Sequence, residues 1–555
     1  MKTLIKSLLT IYLLSLLSIT LQAQVIGKAH TYSRADSLFG GQHAERTAYD
    51  IQFYHLNIRV NPEERFISGE NLFRFKATRD FTLLQFDLFE NMQIDQVIYK
   101  GKKIAFSREY TAVFINFPET IRKGQVAEFT VKYSGKPTIA KQAPWDGGFV
   151  YRKDAQGKPW VGVAVQGVGA SLWWPNKDQQ ADEVDSMRIS VAVPKGLMNI
   201  SNGKFEGKKV LDDGYTQFNW FVSYPINNYN VTLNIGDYTH IKSSYQGLDG
   251  PLPVDYYVLR EHAEKAKVHF ARNVPQMLSC FESWFGPYPF YRDGYKLVEA
   301  AYLGMEHQSA VAYGNHFENG YLGRDLSGTG HGDSWDYIIV HESGHEWFGN
   351  NITSKDIADS WIHEGFTTYT EGIFVECQQG KEAGNAYIKG LRKNIRNNAP
   401  MIGEYGVNAS TTGDIYYKGA NILQTLRTVI NDDTLWKQIL TGMNREFSLQ
   451  TVSTQEVIDY LSKSSGIDFT AILREYLEEA NVPTLELKEI DGKQYARWKT
   501  HRKDFDLPIR VKHNKDKAWT FMYPKANEWT LLQEKAKDTF KIDTDWMYFN
   551  VKEMP

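Results

Sequence analysis

Residues 333–372 read DSWDYIIVHESGHEWFGNNITSKDIADSWIHEGFTTYTEG, and the organisation of the chain follows from that stretch. His341 and His345 are four positions apart, which on a helix puts them about 40° apart around the axis, on one face. Two imidazoles so placed reach one Zn²⁺ at about 2.0–2.1 Å. Glu342 lies about 60° round from His345, beside such an ion, where a carboxylate takes a proton from bound water. Asp333 or Ser334 is expected to cap this helix, and Gly349-Asn350 to end it. Eighteen residues lie between His345 and Glu364, which sits on a second helical stretch with Ile357 and Trp361 at supporting spacing. A His₂Glu set leaves one coordination position open for water. The competing reading is a helix with two satisfied histidines and a surface carboxylate. It fails to account for Glu364.

Outward from this stretch the pattern changes twice. From about Tyr49 to Ile241 the chain alternates: Leu56, Ile58 and Val60 against His55, Asn57 and Arg59, then Phe73 and Phe75 against Arg74 and Lys76. This predicts a β-rich N-terminal domain over 24–245. SSYQGLDGPLP (243–253) is dense in Gly, Pro and Ser and marks the expected boundary. Beyond it, LREHAEKAKVHFARNVPQMLSCFESWFG carries apolar residues at three- and four-residue spacing up to Gly286, and helical patterns recur to LREYLEEA. Ser453 and Glu456 form a capping-box signature. After Val482-Pro483 alternation returns, so 481–555 is expected to be a small β domain after a mostly helical domain over 246–480. The fold class is therefore multidomain α+β.

The net charge is −3 and the basic residues form no stripe, which argues against a nucleic-acid partner. Lys2 and Lys6 precede LLTIYLLSLLSITL, and LQAQ offers cleavage after Ala23, so residues 1–23 read as an export signal. The run is short for a membrane span, and no second one follows. The expectation is a protein exported to the periplasm or beyond, without stable membrane insertion; Leu21 at the −3 position leaves an uncleaved anchor as the alternative. Cys280 and Cys377 are the two cysteines, and both a disulfide and buried thiols fit them.

HESGHEWFGN followed by WIHEGF resembles the aminopeptidase N family of gluzincin zinc metallopeptidases, to which leukotriene-hydrolase-type enzymes also belong. The resemblance implies a thermolysin-like catalytic domain, one Zn²⁺ per chain held by His341, His345 and Glu364, and Glu342 as general base. Leu303-Gly304-Met305-Glu306-His307 is similar to the family's GAMEN signature, with Leu303 for the leading Gly and His307 for the closing Asn. Its carboxylate, Glu306, is expected to grip a substrate's free α-ammonium. Ile415-Tyr416-Tyr417-Lys418-Gly419 matches the family's Tyr-x-Lys-Gly, which implies Tyr416 as the oxyanion partner; Tyr417 is then a packed aromatic. Gln166, in AVQGVGASLWWPNKD, falls where relatives share recognition of the amine, although Val168 stands at the expected second acidic position. Trp173 and Trp174 fit either the cleft or the core. The implied function is zinc-dependent hydrolysis of the N-terminal bond of peptides with a free N-terminus. A zinc endopeptidase or epoxide hydrolase on the same site, or a non-catalytic peptide-binding protein, are the alternatives.

Overall fold

The computed structural model describes residues 31–409, 411–513, 518–536 and 540–555; the expected export signal lies outside them. The α-helices are α1 (Arg34–Gly40), α2 (Ala44–Thr47), α3 (Ala263–Phe285), α4 (Tyr337–Gly344), α5 (Trp361–Gln379), α6 (Lys381–Gly390), α7 (Asp414–Ile430), α8 (Asp433–Glu446), α9 (Thr454–Ser465) and α10 (Thr470–Glu478). Before α3 the chain is sheet-rich, its middle is helical, and its end returns to strands.

The alternation in the first third becomes an eight-stranded sheet. Its strand Tyr49–Asn61 pairs antiparallel with Phe66–Ala77 and parallel with Ser186–Pro194. Leu56, Ile58 and Val60 are buried, as period two requires for one face of a strand. Trp173 and Trp174 are 0% exposed, and Trp174 packs edge-on to Tyr54. They are core residues and do not line a cleft.

The Gly- and Pro-rich stretch expected to be a boundary folds as a hairpin. Tyr238–Gly247 and Gly250–Leu259 pair along their whole length, with Gly247 opposite Gly250. Both strands belong to a five-stranded sheet that continues through Tyr295–Glu299, Val311–Tyr313 and Gly304–Met305. Successive side chains on a strand point to opposite faces, and here the two faces serve different cores. Val254, Tyr256, Val258, Leu297, Val311 and Tyr313 join the core under the helices. Tyr257, Leu259, Val298 and Ala312 join the core of the N-terminal sheet. One sheet therefore carries both hydrophobic cores, and the strand bearing Met305 forms its edge.

Helix α3 buries Phe270, Val274, Met277, Leu278, Phe281 and Phe285, an apolar stripe at helical spacing, and ends at Gly286 (φ 96°). A disulfide between Cys280 and Cys377 joins α3 to α5, which settles the pairing that the sequence left open. Ser453 and Glu456 make the expected capping box on α9. The final strands form a four-stranded and a three-stranded sheet, and their buried Leu485, Trp498 and Ile509 belong to the same core as α10. Among the described residues, no helix is long and apolar enough to cross a membrane.

Candidate active site

The metal-binding half is built from α4 and α5. Helix α4 is eight residues long, so its N-terminal cap is close to the histidines. The cap is Asp336, whose Oδ1 accepts from the backbone N–H of Ile338 (3.0 Å) and Ile339 (3.3 Å). Asp333 and Ser334, the expected caps, stand outside the first turn. Asp336 is buried because it also accepts from Tyr313, Asn315 and His269. His345 follows the helix with helical dihedrals, and the backbone then breaks at Phe348 and Gly349. Gly349 has φ +128°, and a Cβ there would lie 3.1 Å from His345 Nδ1, so glycine lets the chain turn away against the ring.

His341 Nε2 and His345 Nε2 face the same atom, Glu364 Oε2, at 3.7 and 3.3 Å. Their other nitrogens are committed. His341 Nδ1 lies 2.7 Å from Glu371 Oε1, whose second oxygen accepts from Tyr387 OH at 2.7 Å. His345 Nδ1 lies 3.0 Å from the Phe348 carbonyl. Acceptors at Nδ1 hold the proton there and leave the Nε2 lone pairs pointing inward. Glu364 Oε2 is buried without a hydrogen-bond partner. Two neutral imidazoles and one carboxylate around a shared point are the donor set of a borderline divalent cation, and these residues fit one.

The electrostatics are those of a water-poor site. Burial raises Glu342 to about 7, with the Glu306 charge adding to it. Burial also raises Glu306. Burial opposes the charged form of Glu364 as well, but the facing imidazoles outweigh it and hold this carboxyl below its ordinary range. Among the protein's own groups alone, burial pulls His345 down and the Glu364 and Glu306 carboxylates more than restore it, to about 8; a bound cation would take the place of that proton and leave the ring neutral.

The other half comes from distant segments. Glu306, 2% exposed, follows the edge strand Gly304–Met305. Its Oε1 accepts from Gln166 Nε2 at 2.6 Å and from Tyr229 OH at 3.1 Å. Gln166 Nε2 also reaches Glu364 Oε1 at 3.2 Å, so one side-chain amide bridges the two halves. Asn350 Nδ2 donates to the Glu306 carbonyl (2.7 Å) and to Glu346 Oε1 (3.1 Å), and Glu346 accepts from Ser309 N–H and Tyr288 OH. A Cβ on Gly304 would come 2.6 Å from Glu342 Oε1, so the motif passes directly beside Glu342. Leu303 packs on the helical core; His307 is fully buried, and burial holds its ring neutral, down to about 3.

Tyr416, on the first turn of α7, stacks near the His341 ring, 6.0 Å between centroids and 20° between planes. Burial raises its phenol well above the usual range, and the Glu364 charge adds to this. Tyr417 packs beside it, 6.3 Å away, and is not stacked on either histidine. His341, Glu342, His345, Glu364, Glu306, Gln166 and Tyr416 thus lie together at one site. Sequence reasoning missed Glu371, Tyr229 and Asn350. Glu371 was findable: it lies seven residues after Glu364, two turns along the same helix face. Tyr229 and Asn350 reach Glu306 only through tertiary contacts.

Residues 271–476 match the Peptidase family M1 domain. The chain is similar to Aminopeptidase 2 of Candida albicans (20% identical over 538 residues, 92% of this chain and 56% of that one). It is also similar to probable aminopeptidase 2 of Sulfurisphaera tokodaii (23% over 473 residues, 82% and 57%). The chain spans about half the length of these curated relatives. Its fold is similar to that of an M1 zinc metallopeptidase from Deinococcus radiodurans, with a TM-score of 0.66 and 21% identity over 78% of this chain and 94% of that one.

Proposed function

We propose that this chain, whose residues 271–476 match the Peptidase family M1 domain, is an exported zinc aminopeptidase that hydrolyses the N-terminal bond of peptides. The relatives named above are aminopeptidases or a zinc metallopeptidase, and the metal-fitting triad supports the same chemistry here. One observation carries the exopeptidase reading: Glu306 is tied to the metal-facing Glu364 through the single amide of Gln166. A fixed anion one side chain away from the triad suits an α-ammonium, and it places only the first peptide bond for attack.

His341, His345 and Glu364 would hold the zinc, which when bound supplies Lewis acidity and lowers the pKa of its water. Glu342 stands beside the triad as general base, accepts the proton of the attacking water, and returns it to the leaving amine. Glu306 and Gln166 hold the substrate's N-terminus. Tyr416 donates its phenolic proton toward the developing oxyanion. The signal-like residues 1–23 and the Cys280–Cys377 disulfide support an oxidising compartment outside the cytoplasm. A panel of fluorogenic aminoacyl substrates, with and without chelator, tests the proposal beside a peptide in free-amine and N-acetylated forms. Chelator-sensitive cleavage of the free-amine form alone is expected. Equal cleavage of both forms would establish an endopeptidase, and cleavage of neither would remove peptidase activity.

A further inference from the structure

Glu306 is held by more than an amine anchor needs for burial alone. Gln166 Nε2 and Tyr229 OH both donate to Oε1, and among the described residues no side-chain donor reaches Oε2. Tyr229 is itself rigidly placed. It is 4% exposed, its N–H donates to Asn227 Oδ1 (3.3 Å), and its ring stacks on His363 at 6.5 Å and 25°. His363 in turn accepts from the Ser354 N–H at 2.8 Å. The segment around Tyr229 is tied down by Asn228 Nδ2 to the Lys177 carbonyl (2.6 Å) and by Asn202 Nδ2 to the Asn230 carbonyl (2.8 Å). Asn230 Nδ2 donates to Asn350 Oδ1 (2.8 Å), and Asn350 donates to the Glu306 carbonyl. The run Asn227–Asn230 therefore holds Glu306 at its carboxylate through Tyr229 and at its backbone through Asn350.

The terminal torsion of a glutamate is broad and nearly twofold, so burial alone does not fix the plane of its carboxylate. Two donors on one oxygen do fix it and leave the other without a side-chain partner among the described residues, and a Glu306 carboxylate oxygen lies within 4.8 Å of ligand atoms of Glu342 and His345. We propose that Tyr229 is a positioning residue for substrate recognition: by loading Glu306 Oε1 it turns Oε2 toward the substrate's α-ammonium. This rests on the reading of Glu306 as the amine anchor. The phenol spends its only proton on Glu306, so it does not compete with the ammonium as a donor elsewhere in the site.

The test uses the full zinc-loaded chain as wild type, Tyr229→Phe, Glu306→Gln and the double variant. Calorimetry measures binding of L-leucinol and of 4-methylpentan-1-ol, its amine-free counterpart; kinetics on an aminoacyl anilide and zinc content are measured alongside. Tyr229→Phe is expected to weaken leucinol binding and raise KM about tenfold, the loss of one buried hydrogen bond to a charged acceptor. It should leave 4-methylpentan-1-ol binding, zinc content and kcat within about twofold, and cost less than about twofold when added to Glu306→Gln. Equal weakening of both ligands, or an undiminished loss in the Glu306→Gln background, would assign Tyr229 to packing and overturn the inference. A wild type that turns over no aminoacyl substrate would overturn the functional proposal instead. The calorimetric difference between the two ligands would still decide the role of Tyr229.

Discussion

The two halves of the pocket are assembled in opposite ways. The metal half comes from residues 341–371, two neighbouring helices whose spacing alone aligns His341, His345, Glu364 and Glu371. The half proposed to hold the amine gathers Gln166, Tyr229 and Glu306 from segments separated by as many as 140 residues, and a sheet edge and a run of buried asparagines fix it. Chemistry that requires a tight ligand set is written locally. Recognition of one end of a substrate is written across the fold, where each contact depends on packing elsewhere.

Four substitutions sharpen or break this division. Glu342→Gln should reduce kcat about a thousandfold while zinc content, read by atomic absorption, stays that of wild type; turnover at the wild-type rate would remove Glu342 as base. Glu306→Ala should lower kcat/KM for free-amine substrates about a hundredfold, from loss of a buried charge pair. If binding of the amine-free 4-methylpentan-1-ol weakened as much as binding of L-leucinol, the amine half would not be a separate device. Glu371→Gln should weaken zinc affinity roughly 10- to 100-fold in chelator competition, since it removes the charge of the acceptor that orients His341; it should leave the preference for a free amine intact. Gln166→Leu, which cuts the bridge between the halves, should raise KM about tenfold with little change in zinc affinity. A matching loss of zinc would show the halves to be one network.

This contrast also explains what the sequence disclosed. Helical spacing makes His341, Glu342, His345 and Glu364 legible without a partner alignment, and the two sheet regions are legible from alternation. Gln166, Glu306 and Tyr416 were found through resemblance to a family, because no local period connects them. Tyr229 sits in NNYN, a polar run that reads as a surface turn, yet Asn227, Asn228 and Asn230 are buried, Asn227 bonding locally to the Tyr229 N–H and the amides of Asn228 and Asn230 donating to distant segments. Asp336 was misjudged by one turn in favour of Asp333 or Ser334: all three are good caps, and only its tertiary partners Tyr313, Asn315 and His269 select it. The Gly- and Pro-rich stretch at 243–253 carries the signals of a linker and of a hairpin alike, and the pairing of its flanks decides for the hairpin.

The five-stranded sheet is a party wall. A chain divided between Tyr245 and Gln246 would not separate two buildings. It would sever the strand Tyr238–Gly247 and uncover one side of Gly250–Leu259, leaving Tyr257 and Leu259 without the core they help to close. Heat or denaturant that opens this sheet is therefore expected to expose both cores at once, read as a simultaneous loss of amide-exchange protection in Val254, Tyr257, Leu297 and Val298.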